Sequence, residues 1–326
     1  MRVARYHEFG EPDVIEIEEI DPLEPGGSEV RISVEAAGVN PCDALRREGL
    51  WGDELPLISG SDVAGVVEAV GDEDGPFDVG DAVFGTVPML NVSGSRGDRQ
   101  GVYAEQATIR TDRLAPLPDG VSFLEAAGAG LVCGTAWRAL WELGDLPPGG
   151  TALVHGGSGG VGHVAVQLAA TMGAEVVTTA SPPTHDTVRA LGADRVFDYA
   201  RDDLESAIEA ATPNGVDLIL DHQFEDYCQL DVNVAAKDGD ILVIGNNYDQ
   251  PQITDLTMAI GKDVTIQPFD AFNLDPIDGT LARIGRLLAR GELSVEIART
   301  YDLDEAAEAH RAVREDSFVG KLVIVP

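Results

Sequence analysis

Residues 152–162 read ALVHGGSGGVG, an apolar strand followed directly by a glycine-rich run. Gly156, Gly159 and Gly162 keep a three-residue spacing, and the apolar residues that follow recur at the spacing of a helix that begins inside the run. A strand, a tight turn and a helix N-terminus bring free backbone N–H groups and the positive end of the helix dipole to one point. The stretch therefore predicts the phosphate-binding turn of a dinucleotide site rather than a merely flexible loop.

The chain on either side of this stretch has two different patterns. Up to about residue 120, short alternating strands are broken by Gly, Pro and Asp, as in EVRISVEAAGVN at 29–40, which predicts a small β-barrel. Later, short apolar strands alternate with helical segments of about 10 to 15 residues, which predicts a parallel sheet with right-handed crossovers. We therefore expect an α/β protein with domains at 1–122 and 123–267 and a C-terminal segment at 268–326.

The charge balance is strongly acidic, with 57 Asp and Glu against 22 Lys and Arg and a net charge of −35. The acidic residues are dispersed, and only three lysines occur. Such a surface repels itself at low salt and is screened in concentrated salt, where the Debye length is about 3 Å at 1 M. This favours a halophilic protein over one with an ordinary acidic surface. The same charge opposes binding to nucleic acid or to an anionic membrane, and we expect neither partner.

Two further absences bear on location and on metal chemistry. No run of about 18 apolar residues and no signal-like apolar segment occur, so we expect a soluble, cytoplasmic protein. Cys42, Cys133 and Cys228 are far apart and odd in number, which favours neither a disulfide framework nor a zinc knuckle.

The type of nucleotide depends on the end of the second strand of the α/β part. That strand, EVVTTA at 175–180, is followed by Ser181, and the next acidic residue is Asp186. A carboxylate at the strand end would bind the 2′-hydroxyl of NAD and repel the 2′-phosphate of NADP, so its absence favours NADP. His185 and Arg189 are the nearby cations, although Arg189 is equally well explained as a solvated helix residue.

Several motifs, in chain order, resemble the medium-chain dehydrogenase/reductase superfamily: GSDVAGVVEAVG (60–71), GVYAEQ (101–106), HGGSGGVG (155–162), LGADRVFDY (191–199) and GKLVIVP (320–326). The segment GVNPCDALRREG (38–49) is similar to the quinone oxidoreductase branch that includes zeta-crystallin. The resemblance covers nearly the whole chain. It implies a GroES-like β-barrel domain, a Rossmann domain with a doubly wound parallel sheet, a cleft between them and a C-terminal return to the first domain.

Zinc-dependent relatives hold their metal with residues that this chain lacks. Where the zinc alcohol dehydrogenases have a Cys-His pair, residues 39–41 read VNP, and where they have Gly-His-Glu, residues 60–62 read GSD. The four-cysteine lobe is replaced by NVSGSRGDRQG at 91–101, and Cys42 has no histidine near it in sequence. Because zinc needs thiolate or imidazole ligands, we predict that no metal is bound.

Without a Lewis acid, hydride transfer is easier to an acceptor that already delocalises negative charge. The resemblance implies the same chemistry: NADPH-dependent reduction of a quinone or another α,β-unsaturated carbonyl compound. Two alternatives stay open. One is an enoyl-thioester reductase, although few basic residues are available for the nucleotide part of a coenzyme A thioester. The other is a non-catalytic NADPH-binding protein.

The resemblance also assigns roles to single positions. It places Asn40 and Thr135 beside the nicotinamide and its ribose, and Ser158, Gly159, Gly160 and Val161 at the pyrophosphate. It places Ser181 and Tyr199 beside the adenosine ribose, and Gly245, Asn246 and Phe269 in loops around the nicotinamide. Asn40 and His222 are the catalytic candidates, because His222 follows a strand at the edge where ligands of open α/β sheets bind. Plainer interpretations are a turn cap for Asn40 and a loop residue for His222.

The chain departs from the family at one position that matters for proton transfer. Many relatives have a tyrosine where this chain has Leu45, and a leucine cannot donate a proton. Water, Tyr103, Tyr248 or Trp51 would then complete the reduction, unless the acceptor is a quinone that needs no fixed acid.

The last strand of the parallel sheet is expected within DVTIQPF at 263–269, where it would form a sheet edge. Pairing of this edge with its twofold copy predicts a homodimer, and the resemblance implies the same assembly.

Overall fold

A computed structural model of the chain describes residues 1–88, 101–245, 250–274 and 276–326. The chain divides into two compact units. The first unit contains Met1–Gly134 and Leu274–Pro326, and the second contains Thr135–Asn273. The domain boundaries expected from sequence, after residues 122 and 267, lie somewhat earlier than these divisions and stay predictions.

The first unit is rich in antiparallel strands. Its elements are β1 (Arg2–Tyr6), β2 (Glu16–Glu19), β3 (Glu29–Val39), α1 (Pro41–Arg47), β4 (Leu57–Ile58), β5 (Asp62–Val70), β6 (Ala82–Thr86), β7 (Gln106–Arg110), β8 (Leu114–Pro116) and α2 (Phe123–Trp137), of which α2 continues into the second unit.

The second unit alternates strands and helices. Its elements are a π-helical segment (Arg138–Leu143), β9 (Thr151–Val154), α3 (Gly160–Thr171), β10 (Glu175–Ala180), α4 (His185–Ala190), β11 (Arg195–Asp198), α5 (Leu204–Ala211), β12 (Val216–Asp221), α6 (Phe224–Val234), β13 (Ala235–Val243), α7 (Leu256–Lys262) and β14 (Thr265–Pro268).

The chain then returns to the first unit through α8 (Asp278–Ala289), β15 (Ile297–Asp302), α9 (Ala306–Glu315) and β16 (Lys321–Val325). Short 3-10 turns occur at Pro12–Val14, Thr111–Arg113, Pro182–Thr184, Ala271–Asn273 and Leu303–Glu305.

Seven strands of the first unit form one sheet, in which the path β15-β16-β3-β5-β6-β8 is joined by β7 at β3. All of these pairs are antiparallel except β15 with β16. The long strand β3 alternates buried and partly exposed residues and then becomes buried throughout from Ala36, as the chain approaches α1. The C-terminal strand β16 pairs with this buried end, so Leu322 lies opposite Val39. The last strand of the chain therefore lies against the segment that leads into α1.

The second unit is built on a six-stranded sheet in the order β11-β10-β9-β12-β13-β14, with every pair parallel. The chain winds outward from β9 in one direction to β11 and then from β12 in the other direction to β14. The carboxyl ends of β9 and β12 are therefore neighbours at the switch point, where open α/β sheets bind their ligands. The strands expected at the start of 152–162, at 175–180 and within 263–269 correspond to β9, β10 and β14. The predicted fold class, a β-rich domain with a doubly wound parallel sheet, is confirmed.

Among the described residues, no helix has the length and apolar character needed to cross a bilayer.

Candidate functional site

The glycine run lies between β9 and α3, at the switch point of the parallel sheet. Gly156 has a φ of +67°, which residues with a side chain rarely adopt. A Cβ added at Gly162 would lie 2.1 Å from the carbonyl oxygen of Gly156, and one added at Gly157 would lie 2.1 Å from Oγ1 of Thr178. The glycines are needed because the first turn of α3 lies directly against the end of the sheet.

Hydrogen bonds fix the shape of this turn. The N–H of Gly156 donates to Oγ1 of Thr179 (3.0 Å), and the N–H of Gly157 donates to the carbonyl of Thr179 (2.8 Å). Gly159 is the N-cap of α3. The N–H groups of Gly160 and Val161, in the first turn of the helix, have no intrahelical acceptor. The turn therefore presents N–H donors at a helix N-terminus and fits the pyrophosphate of a dinucleotide.

The turn also has room for a ligand to come close. A Cβ added at Gly159 would meet only one atom within 4 Å, the carbonyl oxygen of Gly156 at 3.3 Å. Ser158, Gly159, Gly160 and Val161 are all partly exposed. The four residues expected at the pyrophosphate thus lie together on one turn.

Hydroxyl groups and one paired cation follow the end of β10, where the adenosine ribose is expected. Oγ1 of Thr184 donates to the carbonyl of Ser181 (2.8 Å), so these two residues form a turn. Arg189 is bound to Asp186 (2.8 Å) in an exposed ion pair. Tyr199, after β11, is 51% exposed. The described residues at this end of the sheet therefore include no carboxylate directly after β10, and Arg189 already has an anionic partner.

The other residues expected around the nicotinamide follow β12, β13 and β14. His222 lies beside the glycine turn, because a Cβ added at Gly156 would be 2.6 Å from its Cε1 atom. Gly245 accepts a hydrogen bond from the N–H of Phe224 (3.4 Å), and the N–H of Phe269 donates to Val243 (3.0 Å). The structure thus places His222 at the switch point and Gly245 and Phe269 after neighbouring strands. Asn246 and Tyr248 lie outside the described residues, and Thr135 is a buried residue of α2.

A buried histidine and two buried aspartates lie beneath the glycine turn. Nε2 of His155 contacts Oδ1 of Asp231 (2.8 Å), and both side chains are fully buried. The ring of Tyr227 stacks on the ring of His155, with centroids 4.3 Å apart and planes 2° from parallel. Burial lowers the pKa of His155 to about 4. Burial raises the pKa of Asp231 to about 8 and, together with the charge of Asp231, the pKa of Asp221 to about 7.

No sequence motif predicts this cluster. Its three members follow β9, end β12 and lie on α6, and no local motif links positions so far apart in the chain. A strand that ends in an aspartate, as β12 does at Asp221, is the one local signal available. The cluster lies under the glycine turn, and burial disfavours the charged form of each of its three members.

A second buried polar cluster lies in the first unit, around Asn40. Asn40 is the N-cap of α1, and its N–H donates to the carboxylate of Asp43 (2.8 Å). Its amide nitrogen donates to Oγ of Ser61 (3.1 Å) and to Oδ2 of Asp62 (2.9 Å). Its amide oxygen accepts from Nζ of Lys321. Both amide hydrogens of Asn40 are therefore used inside the first unit, and its side chain is buried.

The alternative proton donors are differently placed. The hydroxyl of Tyr103 is buried and donates to Asp43 (3.1 Å), with the carbonyl of Gly38 also near (3.4 Å). Burial and the neighbouring Asp43 carboxylate raise the pKa of Tyr103 well above its ordinary value. Leu45 and Trp51 are partly buried and carry no acidic proton. In the described part of the chain, the family tyrosine has no obvious replacement.

The family resemblance aligns Asn40, Ser61 and Asp62 with the positions that hold zinc in zinc-dependent relatives. They supply one carboxylate and no thiolate or imidazole, and Lys321 places an ammonium among them, with Nζ 3.7 Å from Oδ2 of Asp62. Within the described residues, no group of three or more His, Cys, Asp or Glu could hold a metal ion. These residues do not fit zinc.

Comparison with known families matches two segments of the chain. Residues 26–119 match the alcohol dehydrogenase GroES-like domain. Residues 191–324 match a family described as zinc-binding dehydrogenase. The second segment does not include Asn40, Ser61 and Asp62, the residues whose side chains do not fit zinc.

Individual relatives match over the full length. The quinone oxidoreductase of Mus musculus is 30% identical over 334 residues, covering 100% of this chain and 98% of its own. The crystal structure of an NAD-dependent alcohol dehydrogenase has a TM-score of 0.92 at 29% identity, with both chains fully covered. A mycobacterial protein, Rv1454c, complexed with NADPH has a TM-score of 0.88 at 28% identity, again with full coverage of both chains.

The buried carboxyl cluster predicts how stability depends on pH. The pKa of Asp231 is raised from 3.8 to about 8 in the folded protein, so the protonated form stabilises the fold fully below about pH 4. That contribution is lost as the pH rises towards 8. The substitution Asp231→Asn should remove this pH-dependent contribution. The difference in free energy of unfolding, variant minus wild type, should therefore increase with pH by up to about 1 kcal/mol per pH unit between about pH 5 and 8.

The measurement is denaturant unfolding at several pH values and constant high ionic strength. Asp226→Asn is the matched control, because Asp226 lies on the same helix but is exposed. A difference between Asp231→Asn and wild type that stays constant with pH would contradict the prediction.

Proposed function

Because the chain belongs to the quinone oxidoreductase-like branch of the medium-chain dehydrogenase/reductase superfamily, we propose that it is a zinc-independent enzyme that transfers hydride from NADPH to a quinone or another α,β-unsaturated carbonyl compound. The glycine turn at the end of β9 carries this proposal. It offers N–H donors at a helix N-terminus, and in the first unit a lysine ammonium lies among Asn40, Ser61 and Asp62, which do not form a zinc donor set.

Bound NADPH supplies the hydride. In the proposed site, the N–H groups of the turn at 158–161 bind the pyrophosphate, and Ser181 and Tyr199 contact the adenosine ribose. Gly245 and Phe269 contact the nicotinamide side of the cofactor. Asn246 and Thr135 keep the same proposed role as cofactor contacts.

The two catalytic candidates take different roles in this proposal. His222 lies beside the glycine turn and is exposed, so it is available to a substrate carbonyl. Asn40 has no free amide hydrogen, since Ser61 and Asp62 accept both. Its role is therefore to hold the start of α1 in place rather than to donate a hydrogen bond to a ligand.

The source of the proton in the reaction favours a quinone as the acceptor. Leu45 cannot donate a proton, and the hydroxyl of Tyr103 is already bound to Asp43. Hydride transfer to a quinone gives an aromatic hydroquinone anion, which takes its proton from water without a fixed acid. An isolated enone gains less stabilisation and depends more on a nearby donor.

An acceptor panel tests this function. The purified protein in molar KCl, with and without a chelator, is supplied with NADPH and in turn with a quinone, a simple enone and a crotonyl thioester. We expect turnover with the quinone, unchanged by the chelator. Gly162→Val should abolish it, because the new side chain would collide with the carbonyl of Gly156, whereas Gly279→Val on α8 enters open space and is the control.

Other outcomes of the panel identify the alternatives. Turnover with the thioester alone would indicate an enoyl-thioester reductase. Tight NADPH binding without oxidation by any acceptor would indicate a non-catalytic binding protein. Activity lost to the chelator would overturn the zinc-independent mechanism.

The cofactor preference is a separate prediction. Solved structures of similar proteins include both an NAD-dependent and an NADPH-bound example. Here β10 is followed by Ser181 and not by a carboxylate, so NADPH should bind more tightly than NADH. Ser181→Asp should weaken NADPH binding about tenfold or more and shift the preference to NADH.

Fluorescence titration of both cofactors measures this preference. Thr171→Asp adds the same charge at the far end of α3 and is the control. Equal affinities for NADPH and NADH in the wild type would refute the prediction.

We also propose that the chain forms a homodimer through the edge of the parallel sheet. Strand β14 pairs with β13 on one side and is the last strand in the sheet order. The helix that leads into it, α7, exposes three large apolar side chains, with Leu256 at 59%, Met258 at 40% and Ile260 at 67%. An unpaired edge beside exposed apolar residues favours association with a second copy.

Light scattering should report twice the chain mass in molar KCl. Because each chain carries a net charge of −35, the dimer should dissociate on dilution into low salt. Ile260→Lys should favour the monomer, whereas Leu23→Lys, at a 44% exposed leucine of the first unit, should leave the dimer intact. A monomer at every salt concentration would show that this edge does not pair.

A further inference from the structure

One of the three lysines of this acidic chain has its side chain buried inside the first unit. Lys321 begins β16 and is 2% exposed. Its ammonium donates to the carbonyl of Val39 (2.8 Å) and to the amide oxygen of Asn40, and it lies 3.7 Å from Oδ2 of Asp62. A compact cation with three donors is thus enclosed by three oxygens from the end of β3, the start of α1 and the start of β5.

The carboxylate of Asp62 is as enclosed as the ammonium. Its Oδ1 accepts from the N–H of Leu131 (2.8 Å), and its Oδ2 accepts from the amide of Asn40 (2.9 Å). A Cβ added at Gly130 would lie 2.6 Å from Oδ1, so α2 packs directly on this carboxylate. Removing one member of such a pair leaves the other charge buried and uncompensated, which is strongly destabilising.

The ion pair also fixes the orientation of Asn40. The amide oxygen can face only the ammonium, because the amide nitrogen is turned towards Ser61 and Asp62. The backbone N–H of Asn40 is bound by Asp43, which completes the capping box of α1. The corner between β3 and α1 is therefore held by a cation from the last strand, 281 residues further along the chain.

We propose that the ammonium of Lys321 is a built-in cation that takes the place of a metal ion in this chain, and that it acts as a positioning residue for Asn40 and the start of α1. The family described as zinc-binding dehydrogenase matches a segment that includes Lys321, yet the oxygens around the ammonium already have hydrogen-bond donors. The ammonium stabilises the corner between β3 and α1 but, unlike a metal ion, has no coordination position for a further ligand. The effect on turnover rests on the proposed function, whereas the effect on α1 does not.

The test compares a single, a double and a control variant of the full chain. Lys321→Met leaves Asp62 buried without its partner and is expected to lose stability. Lys321→Met combined with Asp62→Asn removes both charges, and its thermal midpoint should return close to that of wild type. Lys262→Met is the matched control, because the ammonium of Lys262 also donates to backbone carbonyls (Val232, Asn233 and Ala235) but contacts neither Asn40 nor α1.

Three readouts distinguish a positioning role of Lys321 from simple neutralisation of the Asp62 charge. In the double variant, kcat with a quinone should fall about tenfold or more, while the Kd for NADPH stays within about twofold. Amide hydrogen exchange should become about tenfold faster in α1 and stay unchanged in α3. The control Lys262→Met should lose stability but keep kcat and the exchange rate of α1.

Two results with the double variant would overturn the inference. If it recovers wild-type kcat, or if α1 exchanges at the wild-type rate, Lys321 does no more than neutralise Asp62. If wild type shows no turnover with any acceptor, the proposed function fails, and the exchange rate of α1 still decides whether Lys321 positions the corner.

Discussion

The approach of Gly162 to the carbonyl of Gly156 is the contact on which the second unit depends. Only a glycine allows the first turn of α3 to lie so close to the end of β9, because a Cβ would be 2.1 Å from that oxygen. This closeness brings the helix N-terminus to the switch point of the sheet, between the carboxyl ends of β9 and β12. The residues that follow β10, β12 and β13 gain their proposed roles from the same placement.

The two units differ in how their buried carboxyl groups are balanced. In the first unit, the carboxyl group of Asp62 lies beside the ammonium of Lys321, whose charge counteracts the rise that burial causes in the pKa of Asp62. In the described part of the second unit, no charged basic side chain balances Asp231 and Asp221, since burial keeps His155 neutral, and their pKa values rise to about 8 and about 7. With three lysines in 326 residues, a buried lysine is unexpected in such an acidic chain. Burial raises the pKa of Asp43, which binds Asn40 in the first cluster, to about 7, so each cluster contains a carboxyl group that titrates near neutrality.

Local patterns in the sequence were sufficient for the fold class and for the position of the glycine turn, but not for either buried cluster. Apolar runs indicated the alternating strands and helices of the parallel sheet, and the glycine spacing located the turn, because each depends on neighbouring residues. Lys321 and Asp62, or His155 and Asp231, meet only through the tertiary fold, and one sequence carries no record of such pairs. The same limit applies to Asn40, whose motif indicates a position near the cofactor but not that its amide hydrogens are already bonded.

The loss of the family tyrosine at Leu45 and the closed network around Asn40 have a common consequence. Neither residue offers a proton to a ligand, and Tyr103 directs its hydroxyl to Asp43 inside the first unit. The polar groups of this region are thus bonded to one another, which stabilises the β3–α1 corner but leaves little for acid catalysis. For the proposed function, this lack of a fixed acid is the reason to propose an acceptor whose reduced form is stable as an anion. A quinone meets that requirement better than a less activated carbonyl compound.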